Sequence, residues 1–299
     1  FRQDLERMKV PIHPPCLNKS DVEFSVEFEG DQGAVRYALA AVKNVGREAM
    51  AGIVRERSEN GPFKDLFDFA ARLNPKYMNK RQAENLVRAG AFDDMLDHRS
   101  QVFSAIEILL RQAQQSEEER GSGQVNLFGG ASEALTVRPA LPDVSRWTAM
   151  EQLKQEFDAI GFYLSGHPLD AWDKTLDKAG VRDAASYLAG LGTTESGATL
   201  AGTVMGKREL RTRKGKPLAF VQLSDATGAF EVTMFAESLD KYRDLLVVGQ
   251  SLVLRVTGNL DSDQPRLTVQ SLQRLETLAA NIADGVRIFA NDDRPIAEV

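Results

Sequence analysis

A chain of 299 residues is long enough for about two domains, each able to bury its own core. The composition, 42% hydrophobic, 27% charged and 7% aromatic, excludes a disordered or fibrous chain, and a net charge of -6 excludes a surface that grips nucleic acid everywhere, though not a local basic face. One cysteine, Cys16, excludes an internal disulfide and a cysteine-rich zinc site and fits a reducing, cytoplasmic setting.

No apolar run reaches the roughly 18 residues that span a bilayer, so no membrane is expected, and the charged start is not a signal peptide. The chain begins without methionine and stops inside what reads as a new element, so a piece of a longer protein is expected.

Residues 5–18 pass through Pro11, Pro14 and Pro15, which predicts an extended path. Residues 21–28 alternate, with Val22, Phe24, Val26 and Phe28 on one face, and predict a strand that turns into a second at 34–37. The pair reads as a packing hairpin without chemistry.

In residues 39–53, Leu39 and Val42 stand three apart and Ala49 and Ile53 four apart, with Asn44-Val45-Gly46 breaking the helical pattern between them. This resembles the helix-hairpin-helix motif, whose turn reads hydrophobic-x-Gly-hydrophobic-Gly. Asn44 stands where the first glycine is usual, and asparagine tolerates the left-handed region better than other residues with a Cβ. A turn feeding a helix N-terminus aims unpaired backbone N–H groups outward, and phosphate oxygens accept from them without any reading of bases. Lys43, Asn44, Val45, Gly46 and Arg47 are therefore the candidate duplex-backbone residues. The alternative is two core helices joined by a tight turn.

Helices are predicted over 64–73, with Leu66, Phe67 and Phe69 apolar, and over 79–89, ended by Gly90. The stretch 86–93 has the form of a second, degenerate hairpin and reads as structural. A further helix covers 101–115, with Val102, Ile106, Leu109 and Leu110 on one side.

Residues 116–146 have the Gln, Glu, Ser, Gly and Pro content of a solvated connector. Inside it lies Gln124-Val125-Asn126-Leu127-Phe128, whose two apolar side chains either fold back on their own protein or dock into a partner's groove. A helix follows at 147–162, with Met150, Leu153, Phe157 and Ile160 on one face. His167 sits in a Gly-His-Pro helix stop with no second ligand at metal spacing, so it reads as structural.

From residue 199 the pattern is five strands, near 200–205, 218–223, 230–235, 252–257 and 267–272, with a helix at 237–246 between the third and fourth. That is the order of an OB-fold barrel. Its first hairpin carries Lys207, Arg208, Arg211, Arg213, Lys214 and Lys216 against one acid, Glu209. In an acidic chain this points to single-stranded nucleic acid on the first loop, with a solvated hairpin as the alternative. Phe220, Phe230, Phe235 and Tyr242 are either stacking surface or core.

No catalytic or metal site is expected. The compact acidic groups, at 93–94, 261–263 and 292–293, lie in turns, whereas two-metal phosphoryl transfer needs carboxylates on a rigid scaffold.

The order of these parts resembles the C-terminal half of the alpha subunits of bacterial DNA polymerase III, the C-family replicative polymerases. The stretches that carry the resemblance are 37–46, 79–93, 124–128, Gly161-Phe162-Tyr163-Leu164-Ser165-Gly166-His167-Pro168, and the run from Leu223-Ser224-Asp225-Ala226-Thr227-Gly228 to Phe235. The resemblance implies an α+β multidomain segment: the end of the fingers at 1–34, a helix-hairpin-helix domain at 35–115, a linker at 116–146, a helical connector at 147–196, a five-stranded OB barrel at 197–276, and the start of a last domain at 277–299. It implies that Gln124 enters a polar pocket and Leu127 and Phe128 a hydrophobic one on the sliding clamp. It also implies double- and single-stranded DNA as partners, and recruitment of the clamp-loader tau subunit through the last domain. The Mg2+-binding catalytic aspartates would lie upstream, with no cofactor in this segment, which would be inactive alone. The rival is a protein-interaction scaffold with an OB fold and no nucleic acid.

Overall fold

A computed structural model of the chain describes residue 5, residue 8 and residues 10–30, 32–121, 138–212, 215–262 and 264–282. The chain divides into two compact units, Phe1–Pro168 and Leu169–Val299. The expected connector at 147–196 is thus shared between them, its first helix falling in the first unit.

The first unit opens with a three-stranded sheet of β1 (Ile12–His13), β2 (Ser25–Glu29) and β3 (Gln32–Arg36), in the order β1-β3-β2. The first strand of the hairpin is shorter than the alternation suggested. Most of its apolar face is not buried either: Val26 and Phe28 are 63% and 73% exposed, and Phe24, 42% exposed, stands edge-on to the Tyr37 ring, centroids 5.0 Å apart, while Val22 packs on the core. On the other face Arg36 pairs with Glu27 at 2.5 Å. That bond, with a second from His13, holds the Glu27 carboxyl down at about 2.

Helices then build the core: α1 (Arg47–Asn60), α2 (Leu66–Arg72), α3 (Lys80–Arg88), α4 (Arg99–Gly121) and α5 (Ala149–Ile160). Their starts are written in the sequence. Asp65 accepts from the N–H groups of Phe67 and Asp68, and Asn79 with Gln82 and Thr148 with Glu151 form capping boxes. Leu39, Met50, Ile53, Phe69, Leu86 and Val102 lie in one continuous core.

The buried face of α5 differs from the predicted one. Ile160 is buried as expected, but Met150 is 48% exposed, Leu153 and Phe157 are only half-buried, and Glu156 and Ala159 are buried instead. A polar anchor sets this rotation. The Glu156 carboxylate accepts from the N–H groups of Leu164 at 2.6 Å and Ser165 at 2.8 Å and lies 3.6 Å from the Arg99 guanidinium, which in turn holds Asp93 at 2.6 Å.

The second unit carries α6 (Asp173–Lys178) and α7 (Ala184–Ala189) ahead of a closed barrel of β4 (Ser196–Arg211), β5 (Pro217–Asp225), β6 (Gly228–Phe235), β7 (Ser251–Asp261) and β8 (Gln264–Arg274). The strand order is β4-β5-β6-β8-β7, closed by β7 against β4, with β6 and β8 parallel where Thr233 faces Thr268. Period-2 alternation explains the core: Phe230, Val232 and Met234 point inward while Glu231 and Phe235 face out. Helix α8 (Ala236–Tyr242) bridges β6 and β7 and buries Leu239, as the OB order requires, and α9 (Leu275–Ile282) follows the last strand. The fold class is thus α+β, a helical region followed by a five-stranded barrel. No described helix is long and apolar enough to cross a membrane.

Candidate nucleic-acid interfaces

The hairpin keeps its turn but not its first helix. Residues Leu39–Ala41 make a single 3-10 turn, because the chain must bend at once into a turn held by the buried side chains of Val42 and Val45. Asn44 takes the left-handed conformation, φ 62°, which supplies the physical reason for an asparagine there. Gly46 is different: its φ of -82° suits any residue, and a Cβ there would meet the Gln82 amide only at 3.6 Å. What it contributes is the lack of a side chain that could cap α1. Among the described residues no side chain caps the first turn, so its N–H groups keep their capacity for an outside acceptor.

The turn is fixed from behind. The Lys43 N–H donates to the Ala159 carbonyl at 2.9 Å, and the buried Asn85 amide donates to the Lys43 carbonyl at 2.9 Å. Asn85 was missed as a hairpin residue; its only sequence signal is a polar residue on the apolar face of α3. The two flanking cations are engaged differently. Lys43 turns its ammonium to the Phe157 carbonyl at 3.4 Å and over the Phe157 ring, where the end of α5 favours a cation. Arg47 remains 72% exposed and pairs with Glu23.

The second turn serves the core. Ala89 and Ala91 are fully buried, and the N–H groups of Gly90 and Ala91 bond to the carbonyls of Val87 and Leu86 at 3.0 and 2.9 Å. Those two donors and the Asp93 N–H, which bonds to the Gly90 carbonyl at 3.1 Å, are spent internally and are not available to a phosphate.

In the barrel, the basic loop is mostly strand. β4 runs to Arg211 and β5 begins at Pro217, so Lys207, Arg208 and Arg211 sit on β4 where it pairs with β5, and Lys216 in the turn between them. Register places Arg208 opposite Phe220 and Phe220 opposite Thr233, and likewise Leu210, Leu218 and Phe235 in one row. Ala219 and Val221 are buried inside the barrel, so these two rows lie on its outer surface. The Arg208 guanidinium covers the Phe220 ring at 5.3 Å, while Leu210 and Phe235 are 45% and 53% exposed. Of the four aromatics, Phe220 and Phe235 are therefore surface; Phe230 is core, and Tyr242 packs partly against it. Lys207 pairs with Glu209, which also pairs with Arg243.

Gln124, Leu127, Phe128, Arg213 and Lys214 lie outside the described residues. His167 is buried with its ring 5.2 Å from Tyr163, whose hydroxyl is pushed up to about 12 by burial and by Asp158. Among the described residues no three His, Cys, Asp or Glu side chains are placed to hold a metal ion.

Comparison with known proteins agrees with both architectures. Residues 9–102 match a family described as the helix-hairpin-helix motif, and residues 198–275 match the OB-fold nucleic acid binding domain. The DNA polymerase III subunit alpha of Caulobacter vibrioides is 36% identical over 96% of this chain, which covers 25% of that protein. Those of Pseudomonas aeruginosa and Escherichia coli are 31% and 30% identical over 97% and 96% of the chain. The chain spans about a quarter of the length of the curated relatives it matches. With a helix-hairpin-helix part, an OB barrel and this identity along nearly its whole length, the chain belongs to the DNA polymerase III alpha subunit family, as a segment of it.

Proposed function

We propose that this segment is the template-holding and processivity region of a replicative DNA-directed DNA polymerase acting in the cytoplasm. The observation that carries the reading is the outer face of the barrel, where Arg208 on Phe220 and the exposed Phe235 join a basic β4–β5 hairpin in an otherwise acidic chain. Single-stranded template binds there by stacking and charge. Duplex DNA binds at the hairpin by its backbone, on the first-turn N–H groups of α1.

The rest of the reading follows from the family. Nucleotidyl transfer and its Mg2+ ions belong to other parts of the polypeptide, and this segment holds DNA without a catalytic group of its own. The peptide Gln124, Leu127 and Phe128 docks on the sliding clamp, where tethering raises the effective concentration so that a weak contact suffices. The C-terminal residues 277–299 contribute to recruiting the clamp-loader tau subunit. Changing Leu127 and Phe128 to alanine should abolish clamp binding in a surface-binding assay and leave the circular dichroism spectrum unchanged; unaltered clamp affinity contradicts the docking assignment.

The hairpin has a sharper test. Arg47 is the first residue of α1 and follows an extended Gly46, so proline fits there without loss of a helical bond. Arg47→Ala removes the charge and keeps the N–H; Arg47→Pro removes both. Duplex affinity about tenfold lower for Arg47→Pro than for Arg47→Ala is expected from one charge-assisted bond. Equal affinities of the two variants argue against a grip by that N–H.

A further inference from the structure

Beside the hairpin turn opens a cleft of about 460 Å3, with Asn44 on one side, α3 on the other and Asp158 of α5 at its edge. Three cations of α3 line it: Lys80, Arg81 and Arg88. Two are engaged. Lys80 pairs with Glu107 at 2.5 Å, and Arg88 covers the Phe103 ring at 5.1 Å with one guanidinium nitrogen 3.4 Å from the Asn85 oxygen. Arg81 is exposed and has no ion pair among the described residues. Its planar fork of donors matches the geometry of a phosphate and is weakly hydrated, so binding one carries a smaller desolvation cost than a lysine would incur.

The cleft and the turn are one fixed surface. Asn85 bonds the Lys43 carbonyl with its amide and Arg88 with its oxygen, joining the floor of the cleft to the hairpin backbone. A DNA strand carries one phosphate for each 3.4 Å or so of rise. The start of α1 lies against the start of α3, a Cβ on Gly46 standing 3.6 Å from the Gln82 amide, so a strand held at the first turn of α1 has further phosphates to offer the adjoining cleft.

We propose that this cleft is a second phosphodiester site, with Arg81 as its anion ligand, continuing the duplex contact from the hairpin onto α3. The inference rests on the reading of the hairpin as a duplex binder. Glu84 and Asp158 stand in the same cleft and oppose the phosphate charge, which limits the affinity of the site and gives the test a second sign.

The experiment is anisotropy of a fluorescent blunt duplex titrated with the 299-residue chain over a series of salt concentrations. Arg81→Ala should weaken binding about tenfold at low salt and lower the slope of log affinity against log salt by about 0.9, one phosphate contact. Asp158→Asn should tighten binding. Thermal melts that match the parent chain keep both effects separate from folding. If Arg81→Ala leaves affinity and slope unchanged while Arg47→Pro still binds more weakly than Arg47→Ala, the cleft assignment is overturned and the hairpin reading stands. No duplex binding by the parent chain at low salt overturns both.

Discussion

Replacing Arg99 by methionine should destabilise the first unit by about 3–5 kcal/mol, the usual result of leaving buried charge without its partner. Arg99 is 7% exposed, bonds Asp93 at 2.6 Å and lies 3.6 Å from Glu156, which is fully buried. Burial works against the charge on Arg99, but the Asp93 bond and the charges of Asp93 and Glu156 together outweigh it and hold the guanidinium above its ordinary range. Methionine keeps the bulk and removes the charge, so Glu156 and Asp93 lose their common counterion. Glu156 also binds the Leu164 and Ser165 N–H groups, so the damage extends to the turn after α5. Glu156→Gln on the Arg99→Met background should restore part of the loss, because the amide oxygen can keep those bonds without a charge. Urea denaturation followed by Trp147 fluorescence in a Trp172→Phe background reads this unit, since Trp147 packs on Phe103 with centroids 5.7 Å apart. A change below about 1 kcal/mol would mean that the cluster is screened by solvent and contributes little. The same cluster explains Gly90, which has φ 85° and stands where a Cβ would run into the Arg99 guanidinium.

The second large effect concerns the barrel. Phe220→Ala and Phe235→Ala should each lower affinity for a single-stranded oligonucleotide by about 1–3 kcal/mol, the range for one stacked base. Phe235 is 53% exposed, so its removal opens no cavity. Phe220 carries the Arg208 guanidinium, and its loss also frees that cation from a fixed position. Phe230, inside the barrel, serves as the contrast: Phe230→Ala should act through stability. Single-strand affinity unchanged by both surface substitutions would return this face to the protein-scaffold reading.

Much of this was legible in the sequence for physical reasons. The barrel strands alternate cleanly because one face meets a core and the other water, and the helix between the third and fourth strands follows from their order. Asn44 was readable because few residues with a Cβ accept φ 62°. The misses have physical causes too. Alternation in residues 21–28 reports a strand but not what covers it, and Val26 and Phe28 remain exposed. Helical spacing on α5 could not show that a buried Glu156 bonded to Arg99 and to the following turn would displace Met150 from the interior. The basic stretch read as a loop because its charges broke the apolar pattern, yet its backbone pairs through to Arg211 and Pro217. Asn85 left only the mark of a polar residue on an apolar helix face, and Arg81 none, since what each can do depends on a neighbour more than 35 positions away.

Titration of the chain with a fluorescent primed template, at low and at physiological salt, tests the central claim most directly. The account predicts binding at low salt that weakens steeply as salt rises, with both the duplex and the single-stranded portion contributing to affinity. Absence of binding at low salt would contradict it and leave a chain whose hairpin and barrel hold protein partners instead.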